Sequence, residues 1–242
     1  MNCKMKCYLI QCNMLSLLNV LEKIGAWYLE HVPAIHATLR PGASEADLDA
    51  LERHTGLTLP EAFRTLYRWH DGQVFGPGGV FNLRLLTLDE IKTSWDTWKD
   101  LEPDFEDEIE DYFSYPENTV GLSYINTGWL GFLADDCGSS VGMDLHPEAA
   151  GTVGQIINFG RFERHKYVLA PSLEALLREY WLRLETGRVS IVKLSEAVYG
   201  PARWDVRLHD SRGQHMHGCR SLADFFPSFG AAPTILDPDV RL

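Results

Sequence analysis

The apolar positions along this 242-residue chain change their period as the chain proceeds. At first they recur every three or four residues, which places them on one face of a helix. Leu17, Leu18, Leu21, Ile24 and Tyr28 predict a first helix that ends before Pro33. Ser44, with Asp47 three residues on, opens a second in the pattern of a capping box; Leu48 and Leu51 face inward, and Gly56 stops it. Pro60 suits the first turn of a third, whose stripe of Phe63, Leu66, Tyr67 and His70 ends at Asp71-Gly72. Beyond the loop 76–79, Phe81, Leu83 and Leu85 alternate as a short strand, and Thr87 with Glu90 caps a charged helical region. From Val120 the period is two, predicting short strands over 129–134, 140–145, 153–159 and 166–169. Helical spacing returns with Leu173, Leu176, Leu177, Tyr180 and Leu184, between a Ser172 cap and Gly187. "WDVRLHDSRGQHMHG" then reads as a hairpin, followed by a short helix from Ser221 and a Pro-rich tail.

Helices, then closely spaced strands, then a helix predict an α+β fold: a mostly antiparallel sheet of short strands with helices packed around it. The expected organisation is a tail or over-called start over 1–13, a domain over 14–187 and an extension over 188–242. Lys4 and Lys6 before an apolar run imitate a secretion leader. Gln11 and Asn13 interrupt that run and no small-residue cleavage site follows, so a cytoplasmic protein, starting at Met1 or Met14, is expected. Five cysteines without a paired spacing fit a reducing compartment. No apolar tract is long enough to span a membrane.

Charge narrows the choice of partner. The net charge of -12 argues against nucleic acid, whose phosphates need Lys and Arg. Most of the excess lies between Asp89 and Glu117, where twelve Asp or Glu face two Lys. The segment holding Asp104, Glu106, Asp107, Glu108, Glu110 and Asp111 is either a solvated face or a surface that steers a basic protein. Trp95 and Trp98, three residues apart on one helical side, are core residues or, if exposed, interface anchors beside that surface.

Candidate chemistry is sparse. "FLADDCGSSVGMDLHP" holds Asp135, Asp136 and Asp144, which a hydrolase could use. Alternation instead puts Val141, Met143 and Leu145 inward with Asp144 on the opposite face, and Asp135 and Asp136 suit the bend. Cys137 has no basic neighbour to activate it. His70 and Asp71 are adjacent and so do not face each other on a helix; Asp71 and Gln73 are expected to bond the loop backbone. His215, His217 and Cys219 would share one face of a strand, as zinc ligands must, but Val206, Leu208 and Met216 read as the inward side. A wet surface cluster is expected there, with no metal or cofactor.

"LRPGASEADLDALERHTGLTLPEAFRTLYRWHDGQ" resembles the opening of the Smi-one/Knr-four family of the SUKH superfamily. "LRLLTLDEI", "GWLGFLADDCGSSVGMDLHPEAAGTVGQII" and "VLAPSLEALLREYWLRLETG" are similar to its later pieces, in the same order. The resemblance implies an α+β fold and function by binding, with no shared catalytic residues. Bacterial members commonly neutralise toxins as immunity proteins; fungal members are linked to cell-wall assembly. The expectation is therefore a non-enzymatic protein, first an immunity protein against a basic toxin, with a housekeeping regulator or scaffold as the alternative.

Overall fold

A computed structural model describes residues 15–76, 78–101, 112–161, 163–193 and 204–209. Helix α1 (Leu17–His31) is capped by Ser16 and followed by a single turn, α2 (Pro33–His36). Helix α3 (Glu45–Thr55) begins with the Ser44–Asp47 capping box, a device that contributes about 1 kcal/mol, and ends on Gly56 at φ 73°. Helix α4 (Glu61–Trp69) buries Phe63, Leu66 and Tyr67. Arg64 on α4 reaches back to Asp49 (2.8 Å) and Glu52 (2.6 Å) of α3.

The alternating stretch before Thr87 folds differently from expectation. Val80–Asn82 is a 3-10 turn with Phe81 at φ 53°, and only Arg84–Leu85 forms strand β1. The Gly79 amide donates to the Leu83 carbonyl and closes the turn. Thr87 and Glu90 then exchange the two bonds of a capping box (2.8 and 3.1 Å) and open α5 (Leu88–Leu101).

Strands β2 (Ser114–Tyr115), β3 (Trp129–Ala134), β4 (Ser139–Asp144), β5 (Gln155–Gly160) and β6 (Lys166–Ala170) complete a six-stranded sheet in the order β1-β3-β4-β5-β6-β2. Every pair is antiparallel except the edge pair β2–β6. Leu130, Val141, Met143, Ile156 and Leu169 join the inward side chains of α1, α3, α4 and α6 (Leu173–Glu185) in the main core. Trp129, Ile157 and Phe159 form a smaller cluster with Val120. The fold is thus α+β, with a mostly antiparallel sheet flanked by helices. A buried relay fastens the layers: the Tyr28 hydroxyl donates to that of Tyr180 (2.8 Å), which donates to the Gly79 carbonyl (2.9 Å).

Beyond Gly187 the described residues form one strand pair. Strand β7 (Val189–Lys193) pairs antiparallel with β8 (Trp204–Leu208); the second strand expected in "WDVRLHDSRGQHMHG" lies outside the described residues. Val206 and Leu208 are buried in the main core. Among the described residues no helix is long and apolar enough to cross a membrane.

Candidate interaction face

The three acids of the β3–β4 hairpin each hold structure together. Asp135 Oδ1 accepts from the Cys137 (2.7 Å) and Ser139 (3.0 Å) amides, closing the bend on itself. Asp136, in the left-handed region at φ 59°, pairs with Arg84 at 2.8 Å, and Arg84 also pairs with Glu90 at 2.8 Å. The bend is thereby tied to the start of α5. Cys137 is exposed.

Asp144 lies on the face opposite Met143, as alternation requires, but it is not open to solvent: its exposure is 0%. Burial pushes its carboxyl up to about 6, against the pull of hydrogen bonds from Gln155 Nε2 (3.0 Å) and the His146 amide (3.1 Å). Gln155 Nε2 also donates to the Thr119 carbonyl (2.7 Å). The Ala150 amide holds the Asn118 carbonyl at 2.9 Å, and the Glu148 amide holds that of Thr119 at 3.3 Å. Asp144 therefore orients the glutamine that pins segment 118–119 against the 148–155 turn.

That pinned segment is one wall of a groove of about 510 Å³. The other wall is β2 and its approach, where the Lys166 amide donates to the Phe113 carbonyl (2.9 Å). Tyr112, Phe113, Val120 and Leu122 provide apolar lining, and Glu117 and Glu148 line it as acids. Leu122 is 44% exposed. Two residues on, Tyr124 meets Trp98 of α5 edge to face at 6.0 Å. Trp98 is half-buried and stays at the surface. Trp95 packs in the core and donates its indole N–H to the Thr127 carbonyl (2.9 Å).

The acidic residues Asp104, Glu106, Asp107, Glu108, Glu110 and Asp111 lie outside the described residues, as do His215, His217 and Cys219. Among the described residues no three His, Cys, Asp or Glu side chains gather as a metal site.

Sequence reasoning did not single out His70-Asp71-Gly72-Gln73 as a joint between elements, although it did send Asp71 and Gln73 to the backbone. Asp71 accepts from the Leu88 amide (2.9 Å), and Gln73 accepts from the Leu85 amide (3.0 Å) while donating to Thr38 Oγ1 (2.7 Å). Gly72, at φ 70°, lies so close to Leu86 and Thr87 that a Cβ would stand 2.6 Å from their backbone. His70 is one residue past its helix, extended, with Nδ1 against the Arg40 carbonyl; burial lowers its pKa.

A buried pair was also missed. Lys166 is fully buried, 5.4 Å from the Trp129 ring and 5.6 Å from that of Tyr112, and it bonds the Glu163 carbonyl. Burial lowers its pKa to about 8 and raises that of Glu163 to about 7. The available signal was the alternation that places Lys166 on the same strand face as Val168.

Comparison with known proteins adds identity to this geometry. Residues 42–179 match the profile of the SMI1 / KNR4 family (SUKH-1). The chain is 30% identical over 198 residues to "Cell wall biosynthesis/cell cycle regulator smi1" of Schizosaccharomyces pombe, covering 75% of this chain and 39% of that protein. It is 26% identical over 204 residues to "Cell wall assembly regulator SMI1" of Saccharomyces cerevisiae, covering 70% and 40%. With "Glucan synthesis regulatory protein" of Neurospora crassa the identity is 28% over 202 residues, covering 69% and 38%. The chain spans about two-fifths of the length of these relatives.

Proposed function

Because the chain belongs to the SMI1/KNR4 family (SUKH-1), we propose that it acts as a non-enzymatic protein-binding module of a regulator of the cell-wall-assembly type. The observation that carries this reading is the set of fungal relatives whose names describe regulators of cell wall assembly or glucan synthesis. Those names favour the regulator over the immunity protein that motif resemblance placed first. The hairpin acids, engaged in the bend, with Arg84 and with Gln155, support binding rather than hydrolysis.

The contact face in this reading is acidic, with Trp98 as an aromatic anchor and the segment from Asp104 to Asp111 drawing in a basic partner. A domain exchange tests both parts. The matching region of the Saccharomyces cerevisiae regulator is replaced by this chain, and growth under cell-wall stress is scored. The intact chain is expected to restore growth. The variant with Asp104, Glu106, Asp107, Glu108, Glu110 and Asp111 all changed to Lys is expected to fail. Restoration by both removes the acidic face, and restoration by neither removes the regulator reading.

A further inference from the structure

We infer that the groove between β2 and segment 117–122 is a receptor for a short linear segment of a partner protein, one bearing a large apolar side chain flanked by Lys or Arg. The inference rests on the regulatory, protein-binding reading above and names the kind of partner that reading requires.

Three observations converge on this occupant. The first is shape and lining. A groove of about 510 Å³ falls within the usual range for a binding pocket and has room for one or two large side chains. Its lining is apolar at Tyr112, Phe113, Val120 and Leu122, and Leu122 is held 44% exposed where a folded chain gains nothing from it alone.

The second is charge. Both charged residues of the lining, Glu117 and Glu148, are acids and both are exposed. Lys166, behind Tyr112, is fully buried with Glu163 beside it and offers its ammonium to the Glu163 carbonyl rather than to the groove. The ten residues that immediately precede Tyr112 in the chain contain seven more acids. A basic segment is thus attracted to a groove whose charged lining is Glu117 and Glu148.

The third is rigidity. The walls are fixed before any partner arrives, on one side by the β2–β6 pairing and on the other by the Asp144–Gln155–Thr119 chain of hydrogen bonds. A preformed groove avoids the ordering cost that a loose loop would incur on binding. Two carboxylates and an apolar slot are the complement of a Lys/Arg-flanked Leu or Phe.

The probe is a fluorescein-labelled peptide, Gly-Lys-Arg-Leu-Phe-Lys-Arg-Gly, with two controls: Leu and Phe changed to Ser, and Lys and Arg changed to Gln. Fluorescence anisotropy with the full chain is expected to show the parent binding about tenfold or more tightly than either control, a difference of about 1.4 kcal/mol for each tenfold. Leu122→Asp and the double variant Glu117→Lys, Glu148→Lys are each expected to weaken the parent at least about tenfold. Leu29→Asp, an exposed change on α1, is expected to leave it unchanged. All three variants alter exposed side chains, and circular dichroism verifies their folding.

The inference is overturned if no peptide binds, if the Ser control binds as well as the parent, or if the groove variants bind like wild type. Sedimentation velocity adds a further outcome: a dimer that Leu122→Asp dissolves assigns the groove to a second copy of the chain, which also overturns it. Should the peptides fail while the domain exchange still supports growth, the groove assignment falls and the regulatory reading stands.

Discussion

At the scale of single residues, the burial of Asp144 has a consequence that pH can read. Its carboxyl is raised to about 6 in the folded protein by desolvation, above its ordinary value near 3.8. Between those two values the native state binds a proton that the unfolded chain has released, so stability falls as pH rises from about 4 to about 6. Glu163, raised to about 7, adds a fall of the same sign over a window reaching higher. Asp144→Asn is expected to remove its own part of the decline. The unfolding midpoint of the variant relative to wild type, measured from pH 4 to pH 7, is expected to rise with pH; a difference independent of pH would refute the assignment. The alternation of β4 made it possible to read from sequence that Asp144 faces away from Met143. Its burial could not be read, because Gln155, which bonds Asp144, also holds the Thr119 carbonyl from a segment more than twenty residues upstream of Asp144.

Among the elements, the informative case is the β7–β8 pair. Each strand has a recognisable β pattern, yet pattern alone offers β8 a partner on either side. Among the described residues the partner is β7, and Val206 and Leu208 of β8 are buried in the main core. Leu208→Ala is expected to cost about 2–5 kcal/mol in chemical denaturation. A change under about 0.5 kcal/mol would place β8 outside the cooperative core. By contrast, the caps of α3, α5 and α6 were legible because Ser44, Thr87 and Ser172 bond amides only three residues away. The stretch from Phe81 to Leu85 misled for a related reason. Its alternation is real, but Phe81 and Asn82 take positive φ, with Gly78 close against the Asn82 backbone and Gly79 against Tyr28 and Gln73.

For the whole molecule, the net charge of -12 and its concentration between Asp89 and Glu117 give an ionic-strength prediction. The association rate with a basic partner is expected to fall by about tenfold or more between low and physiological salt, as stopped-flow fluorescence would record. A rate unchanged across that range removes electrostatic steering while leaving the groove untouched. Features that depend on near neighbours or on the sum of the chain were legible beforehand: helix faces and caps, the antiparallel run of short strands, the acidic balance, and motifs sufficient for family membership. Tertiary structure alone decided which acids are buried, which tryptophan is a core residue, where β8 pairs, and that Tyr112, Leu122 and Glu148 meet around one groove. These facts depend on contacts between residues far apart in the chain, and spacing along a sequence records no such distance.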